Sequence, residues 1–173
     1  MSFARLERQL AHWLDDPAFE ELALPFAVAV TRMDSGEPMT LCTGRVALAV
    51  HASTAIPGLV APVTVDGVRL CDGSITDAVP VRGARLLGAE YVIGVNIMGR
   101  PSAPRGGALA AAKWAGELLV TRAGAGLEEA DLLIEPDTER FGYFGFGARQ
   151  ALMGAGERAV SEVLPDLLNR LGR

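Results

Sequence analysis

The chain has 173 residues, half of them apolar, which is long enough for one globular domain with its own core. Its formal charge is -5, its arginines are scattered over a solvated surface and Lys113 is its single lysine, so it lacks the basic patch that a nucleic-acid binder needs. The start, MSFARLERQL, is charged and has neither the apolar core nor the cleavage site of a signal peptide, and no apolar run reaches the roughly 18 residues of a membrane span. A cytoplasmic location is expected, with peripheral membrane contact left open.

Phe3, Leu6, Leu10, Trp13 and Leu14 recur at helical spacing and predict an amphipathic opening helix that ends near Asp15, Asp16 and Pro17. Residues 26–31 form a short, nearly continuous apolar run, and Asp34, Ser35 and Gly36 separate it from a second run at 39–43. Two strands joined by a tight turn follow from that pattern, and a strand apolar on both faces points to burial inside an α/β sheet. Residues 46–52 predict a short apolar helix stopped before Pro57 and Gly58.

Residues 63–70 carry a hairpin signal, because the central Asp66-Gly67 pair accepts the positive backbone angles of a type I′ turn. The second hairpin strand delivers Asp72. Pro80 then opens a helix that Gly88 terminates. Residues 91–97 read as a further buried strand, 99–107 (GRPSAPRGG) as a connector, 108–122 as an alanine-rich helix and 132–135 as a strand. A closing helix at 148–171 carries Leu152, Val160, Val163, Leu164, Leu167, Leu168 and Leu171, with Pro165 starting or kinking its last section. Cys42 and Cys71 fall in predicted strands without metal-ligand spacing and read as buried free thiols in a reducing compartment.

Residues 51–81 carry the most specific pattern: Ala52-Ser53, Ala55-Ile56-Pro57-Gly58, the Asp66-Gly67 hairpin, Asp72-Gly73, Pro80-Val81 and then Leu87-Gly88-Ala89 before an apolar strand. In order and spacing this resembles the rear part of the patatin-like phospholipase family, acyl hydrolases that work through a serine and aspartate dyad. The resemblance runs from about Phe19 to the C-terminus, taking in Ile134, Pro136, Phe146, Ala155-Gly156 and Ala159. It implies an α/β fold, a three-layer patatin-like sheet with flanking helices, incomplete at the N-terminus, so that residues 1–173 are the C-terminal part of a single domain.

By that resemblance Asp72 is the catalytic aspartate, with Gly73 and Ser74 as its motif neighbours. Ser74 departs from the glycine or alanine usual there. The family's glycine-rich oxyanion loop and G-x-S-x-G elbow, which precede the matching region, do not occur: none of Ser2, Ser35, Ser53, Ser74, Ser102 and Ser161 stands between two glycines at the elbow's spacing. In the implied chemistry Asp72 takes the proton of a serine hydroxyl as it attacks an ester carbonyl. A carboxylate with a reference pKa of about 3.9 is a weak base at neutral pH, so a partly desolvated setting is expected. From local chemistry alone, Asp72-Gly73 reads equally as a turn cap, as Asp66-Gly67 does.

The other constellations carry less. Asp77 is a weaker carboxylate candidate. His12 and His51 both precede Asp72, which is the wrong order for a serine, acid, histidine triad, and His51 and Ser53 point to different faces of one helix. No metal or cofactor is expected, since the histidines share no ligand set and the pairs Gly124/Gly126 and Gly145/Gly147 lack nucleotide-loop spacing. Phe141, Tyr143, Phe144 and Phe146 form an aromatic group that reads as loop packing or as the lining of an acyl pocket.

Two functions follow. One is the aspartate-bearing part of a patatin-like acyl hydrolase acting on lipid or other carboxylic esters and inactive alone. The other is a non-catalytic remnant or interaction module that keeps the fold. Strands apolar on both faces also predict a partly uncovered sheet, and hence self-association or binding of a separate N-terminal half.

Overall fold

The computed structural model describes residues 4–98, 106–139, 141, 146–170 and 172. In chain order the elements are α1 (Ala4–Leu14), β1 (Val28–Arg32), β2 (Pro38–Leu41), α2 (Val46–Ser53), β3 (Val63–Val65) and β4 (Val68–Asp72). They continue with α3 (Val81–Leu86), β5 (Ile93–Val95), α4 (Ala108–Val120), α5 (Gly126–Glu129), β6 (Leu132–Ile134) and α6 (Arg149–Arg170). The architecture is α/β, with sheets flanked by helices.

The described strands fall into two ladders. β1 to β4 form an antiparallel sheet in the order β2-β1-β4-β3, while β5 and β6 pair parallel to each other in a separate ladder. Two hairpins dictate the antiparallel part, since strands joined by tight turns must run in opposite directions. In the β3-β4 turn Asp66 and Gly67 both hold positive φ, 49° and 80°, as a type I′ turn requires. In the β1-β2 turn Gly36 takes φ 73° and Arg32 pairs with Asp34 at 2.7 Å. β1 is interior, which is why its apolar run is buried at Val28, Val30 and Thr31.

The first core lies between this sheet and α2. Val30, Leu70, Val63 and Leu41 meet Val46, Ala49 and Ala52, closed at one end by Phe19 and Val60. Full burial of each valine or leucine is worth about 1.5–3 kcal/mol, so α2, apolar on almost every side, is held by packing rather than by any polar cap. Phe19 stacks on Phe26 with ring centroids 5.8 Å apart. α1 lies against α2, where Glu7 Oε2 meets His51 Nδ1 at 2.8 Å, and it ends on Asp15 and Asp16, both in the left-handed region. The apolar stripe predicted for α1 is not wholly buried, because Trp13 and Leu14 at its end are exposed beyond the reach of α2.

A second, smaller core gathers Val79, Val81 and Val92 with Ala84, Leu127 and Ala130. Glycines permit its closeness: a Cβ on Gly126 would lie 1.7 Å from the Val79 carbonyl oxygen. Asp131 Oδ2 accepts from the Val92 N–H at 2.7 Å and from Arg85 at 2.5 Å, tying α3 and the start of β5 to the start of β6.

The burial expected of β5 and of Cys42 is corrected here. β5 is not a buried strand: Ile93, Val95 and Ile97 are exposed and only Gly94 between them is covered. On α6 the buried residues are Ala155 and Ala159, whereas Val160, Leu164 and Leu168 are exposed; Pro165 lies inside the one helix and does not start a new one. Cys42 lies just past β2 and is only half-buried, while Cys71 on β4 is buried; both are free thiols.

Candidate active site

Asp72 is the last residue of β4 and the N-cap of a short 3₁₀ turn, Gly73–Ile75. Its backbone is held from three sides. It pairs with Val30 across the ladder, its N–H donates to the Ala55 carbonyl at 3.1 Å, and its own carbonyl accepts from the buried Thr31 hydroxyl at 2.8 Å. Thr31 Oγ1 also lies 2.9 Å from Thr76 Oγ1, so two hydroxyls pin both ends of the turn that carries the carboxylate. A threonine ending an apolar strand was the one sequence signal for this pair, and it is too common a signal to single out.

The side chain is held differently. Both of its hydrogen bonds among the described residues go to Oδ1, from the Ser74 N–H at 2.8 Å and from the Ser74 hydroxyl at 2.7 Å. Oδ2 has no partner among them. The departure from glycine or alanine at position 74 therefore adds a second donor to the same oxygen.

Gly73 is buried, and a Cβ there would lie 2.2 Å from the Ala29 carbonyl oxygen and 2.5 Å from its carbon. The partner that approaches this glycine is thus the backbone of β1. Asp72-Gly73 and Asp66-Gly67 share a dipeptide but not a role: Gly67 is needed for its positive φ, Gly73 for its missing side chain.

Asp77 sits one turn further on, its N–H donating to the Gly73 carbonyl at 2.9 Å. Its carboxylate packs against Gly124, where a Cβ would come within 2.6 Å of Oδ1. Burial pushes the Asp77 carboxyl above its ordinary value, Arg82 partly opposes this, and Glu129 adds to it. Burial and the negative charge of Asp72 likewise push the Cys71 thiol up, which favours the thiol over the thiolate.

The remaining candidates do not join this group. His51 is buried and bonded to Glu7, His12 is exposed on α1, and Ser53 makes no hydrogen bond to His51 or Asp72 among the described residues. No cluster of three or more metal-ligating side chains forms among the described residues. Gly124 and Gly126 serve the close packing around Asp77 and Val79. Residues 99–105 of the connector lie outside the described residues, as do Gly145, Tyr143 and Phe144 of the aromatic group; Phe141 is half-buried and Phe146 opens a 3₁₀ turn before α6.

What this arrangement provides chemically is one carboxylate at a strand end, anchored through one oxygen and, among the described residues, without a partner at the other. The fold is α/β, and the aspartate stands at the end of one of its antiparallel strands. The family model for patatin-like phospholipase matches residues 1–85, a span that includes α1, Asp72, Gly73 and Ser74. Similar proteins include uncharacterized NTE family proteins of Mycobacterium bovis and of two strains of Mycobacterium tuberculosis, each 34% identical over 87 residues, which is 50% of this chain and 24% of the relative. These matches support a patatin-like family assignment for the chain. It aligns with about a quarter of the length of those relatives, and the rear of the resemblance, beyond residue 85, falls outside the family match.

Proposed function

We propose that this chain supplies the general base of a patatin-like acyl hydrolase that cleaves lipid or other carboxylic esters. Asp72 Oδ2 receives the proton of a serine hydroxyl contributed from outside these 173 residues, because none of their serines stands in a G-x-S-x-G. The observation that carries this reading is the state of Asp72: backbone anchored to Val30, Ala55 and Thr31, carboxylate held at Oδ1 and, among the described residues, unpartnered at Oδ2. No metal or cofactor takes part in this scheme. A cytoplasmic setting agrees with the two free thiols, and among the described residues no helix is long and apolar enough to cross a membrane.

Without a nucleophile and oxyanion donors the 173 residues alone should not hydrolyse esters. A fluorophosphonate probe should leave every serine of the isolated chain unlabelled, and should label an elbow serine once a polypeptide bearing one is joined to it. In that joined protein Asp72→Asn should lower turnover by about 10²- to 10⁴-fold, the range of general-base catalysis. Near-normal turnover, or labelling of Ser53 or Ser74 in the isolated chain, sinks the proposal.

A second reading, a non-catalytic interaction module, draws on one specific observation. The only side-chain hydrogen bonds of Asp72 among the described residues run to Ser74, two positions on, as in an ordinary turn cap. Wild-type turnover by Asp72→Asn in the joined protein would favour it.

A further inference from the structure

We propose that Ser74 is a positioning residue for Asp72: its backbone N–H and its hydroxyl together hold Oδ1 and thereby reserve Oδ2 for the incoming proton. The inference rests on the reading of Asp72 as the base and assigns to Ser74 a part in that same site.

With the Asp72 backbone fixed by Val30, Ala55 and Thr31, the freedom left to the carboxylate is rotation about its two side-chain torsions. Donors at 2.8 Å and 2.7 Å converge on a single oxygen, and either rotation breaks both bonds at once. A carboxylate free to turn would spend part of its time with neither oxygen toward a nucleophile; one held at a single oxygen keeps the other, equivalent oxygen in a fixed place. The two donors differ in origin. Any residue at position 74 supplies the N–H, but only a hydroxyl side chain supplies the second bond. That bond goes to an ionised acceptor, which makes it shorter and stronger than a neutral pair. The hydroxyl thereby helps to fix the orientation of the base.

Thr31 and Thr76 do not duplicate this role. Their hydroxyls engage the Asp72 carbonyl and each other and leave the carboxylate alone. Gly73 cannot contribute a side chain, because the Ala29 carbonyl fills the space where one would stand.

The test uses Ser74→Ala, which keeps the N–H, and Ser74→Thr, which keeps the hydroxyl. In the isolated chain, side-chain scalar couplings measured by NMR should show one Asp72 rotamer in the wild type and in Ser74→Thr, and averaging over rotamers in Ser74→Ala. In the protein joined to an elbow serine, Ser74→Ala should reduce kcat about tenfold, the scale of one hydrogen bond to a charged group, with KM unchanged. Ser74→Thr should restore kcat. A single Asp72 rotamer in Ser74→Ala, or an unchanged kcat in that variant, overturns the role of Ser74. Asp72→Asn in the same assay keeps the outcomes apart: if it turns over normally the reading of Asp72 as base fails, whereas an inactive Asp72→Asn beside a normal Ser74→Ala removes the positioning role alone.

Discussion

Gly73 shows how one missing atom can govern a site. Its Cβ would overlap the Ala29 carbonyl, and relief would need either β1 or the 3₁₀ turn to shift, taking Asp72 with it. Gly73→Ala should therefore cost about 1–3 kcal/mol, the range for overpacking a filled interior, and each kcal/mol lowers Tm by about 2–4 °C at this chain length. Gly156→Ala is the control: this position within α6 is open around its missing Cβ, and the same substitution should raise stability by up to about 1 kcal/mol. Thermal melts of the two variants check both signs.

Asp77 offers a second residue-scale outcome. Its folded-state carboxyl lies above the ordinary range because burial penalises the charge, so the folded chain holds this proton more tightly than the unfolded chain does. Its contribution is fully present below the ordinary carboxylate pKa and is lost as pH rises through the raised value. Asp77→Asn, which never ionises, should gain stability relative to the wild type between pH 4 and pH 7. Denaturant melts at the two pH values give the difference directly, and a difference that does not change with pH would contradict it.

At the scale of elements, the short β5-β6 ladder depends on Asp131. Three-residue parallel strands make few backbone bonds, and Asp131 supplements them by accepting from the Val92 N–H and pairing with Arg85. The Val92 bond is the chief reason its carboxyl lies below the ordinary value; burial opposes it, and Arg85 adds to the lowering. Here the sign is opposite to that of Asp77. The contribution of Asp131 is complete above the ordinary carboxylate pKa and is lost as pH falls through the lowered folded value. Asp131→Asn should loosen this ladder at neutral pH, read as faster hydrogen exchange at Leu132 and Leu133, while the β1-β4 amides stay protected. Equal exchange in variant and wild type would show that Asp131 is dispensable.

At the scale of the whole molecule the unusual property is exposed apolar surface in the second half of the chain. Ile93, Val95 and Ile97 stand open on β5 and just after it, Leu109 and Leu119 are exposed on α4, which buries no residue, and Val160, Leu164 and Leu168 are exposed on α6. Parallel strands are ordinarily covered on both faces, and an unpaired strand edge invites another chain. At about 25 cal/mol per Å², each few hundred Å² left in water forfeits several kcal/mol, comparable to the stability of a small domain. We expect the isolated chain to self-associate or to bind apolar dyes such as ANS, and a complementing polypeptide to suppress both. A monodisperse, dye-silent monomer in sedimentation would run against this.

The elements that sequence alone determined are those whose signals are local. The Asp66-Gly67 turn follows from backbone angles that few residues accept, the start of α3 after Pro80 and its stop before Gly88 follow from the chemistry of helix ends, and the burial of β1 follows from its unbroken apolar run. Residue order and spacing around Asp72 were likewise sufficient for the family resemblance. Tertiary structure decided what depends on neighbours distant in the chain: that the strands divide into an antiparallel sheet and a parallel pair, that β5 and the leucines of α6 lie open, and that Gly73 answers to Ala29 and Thr31 to Asp72. An apolar residue carries the same pattern whether or not something covers it. Only the fold determines which surfaces and which backbone atoms meet.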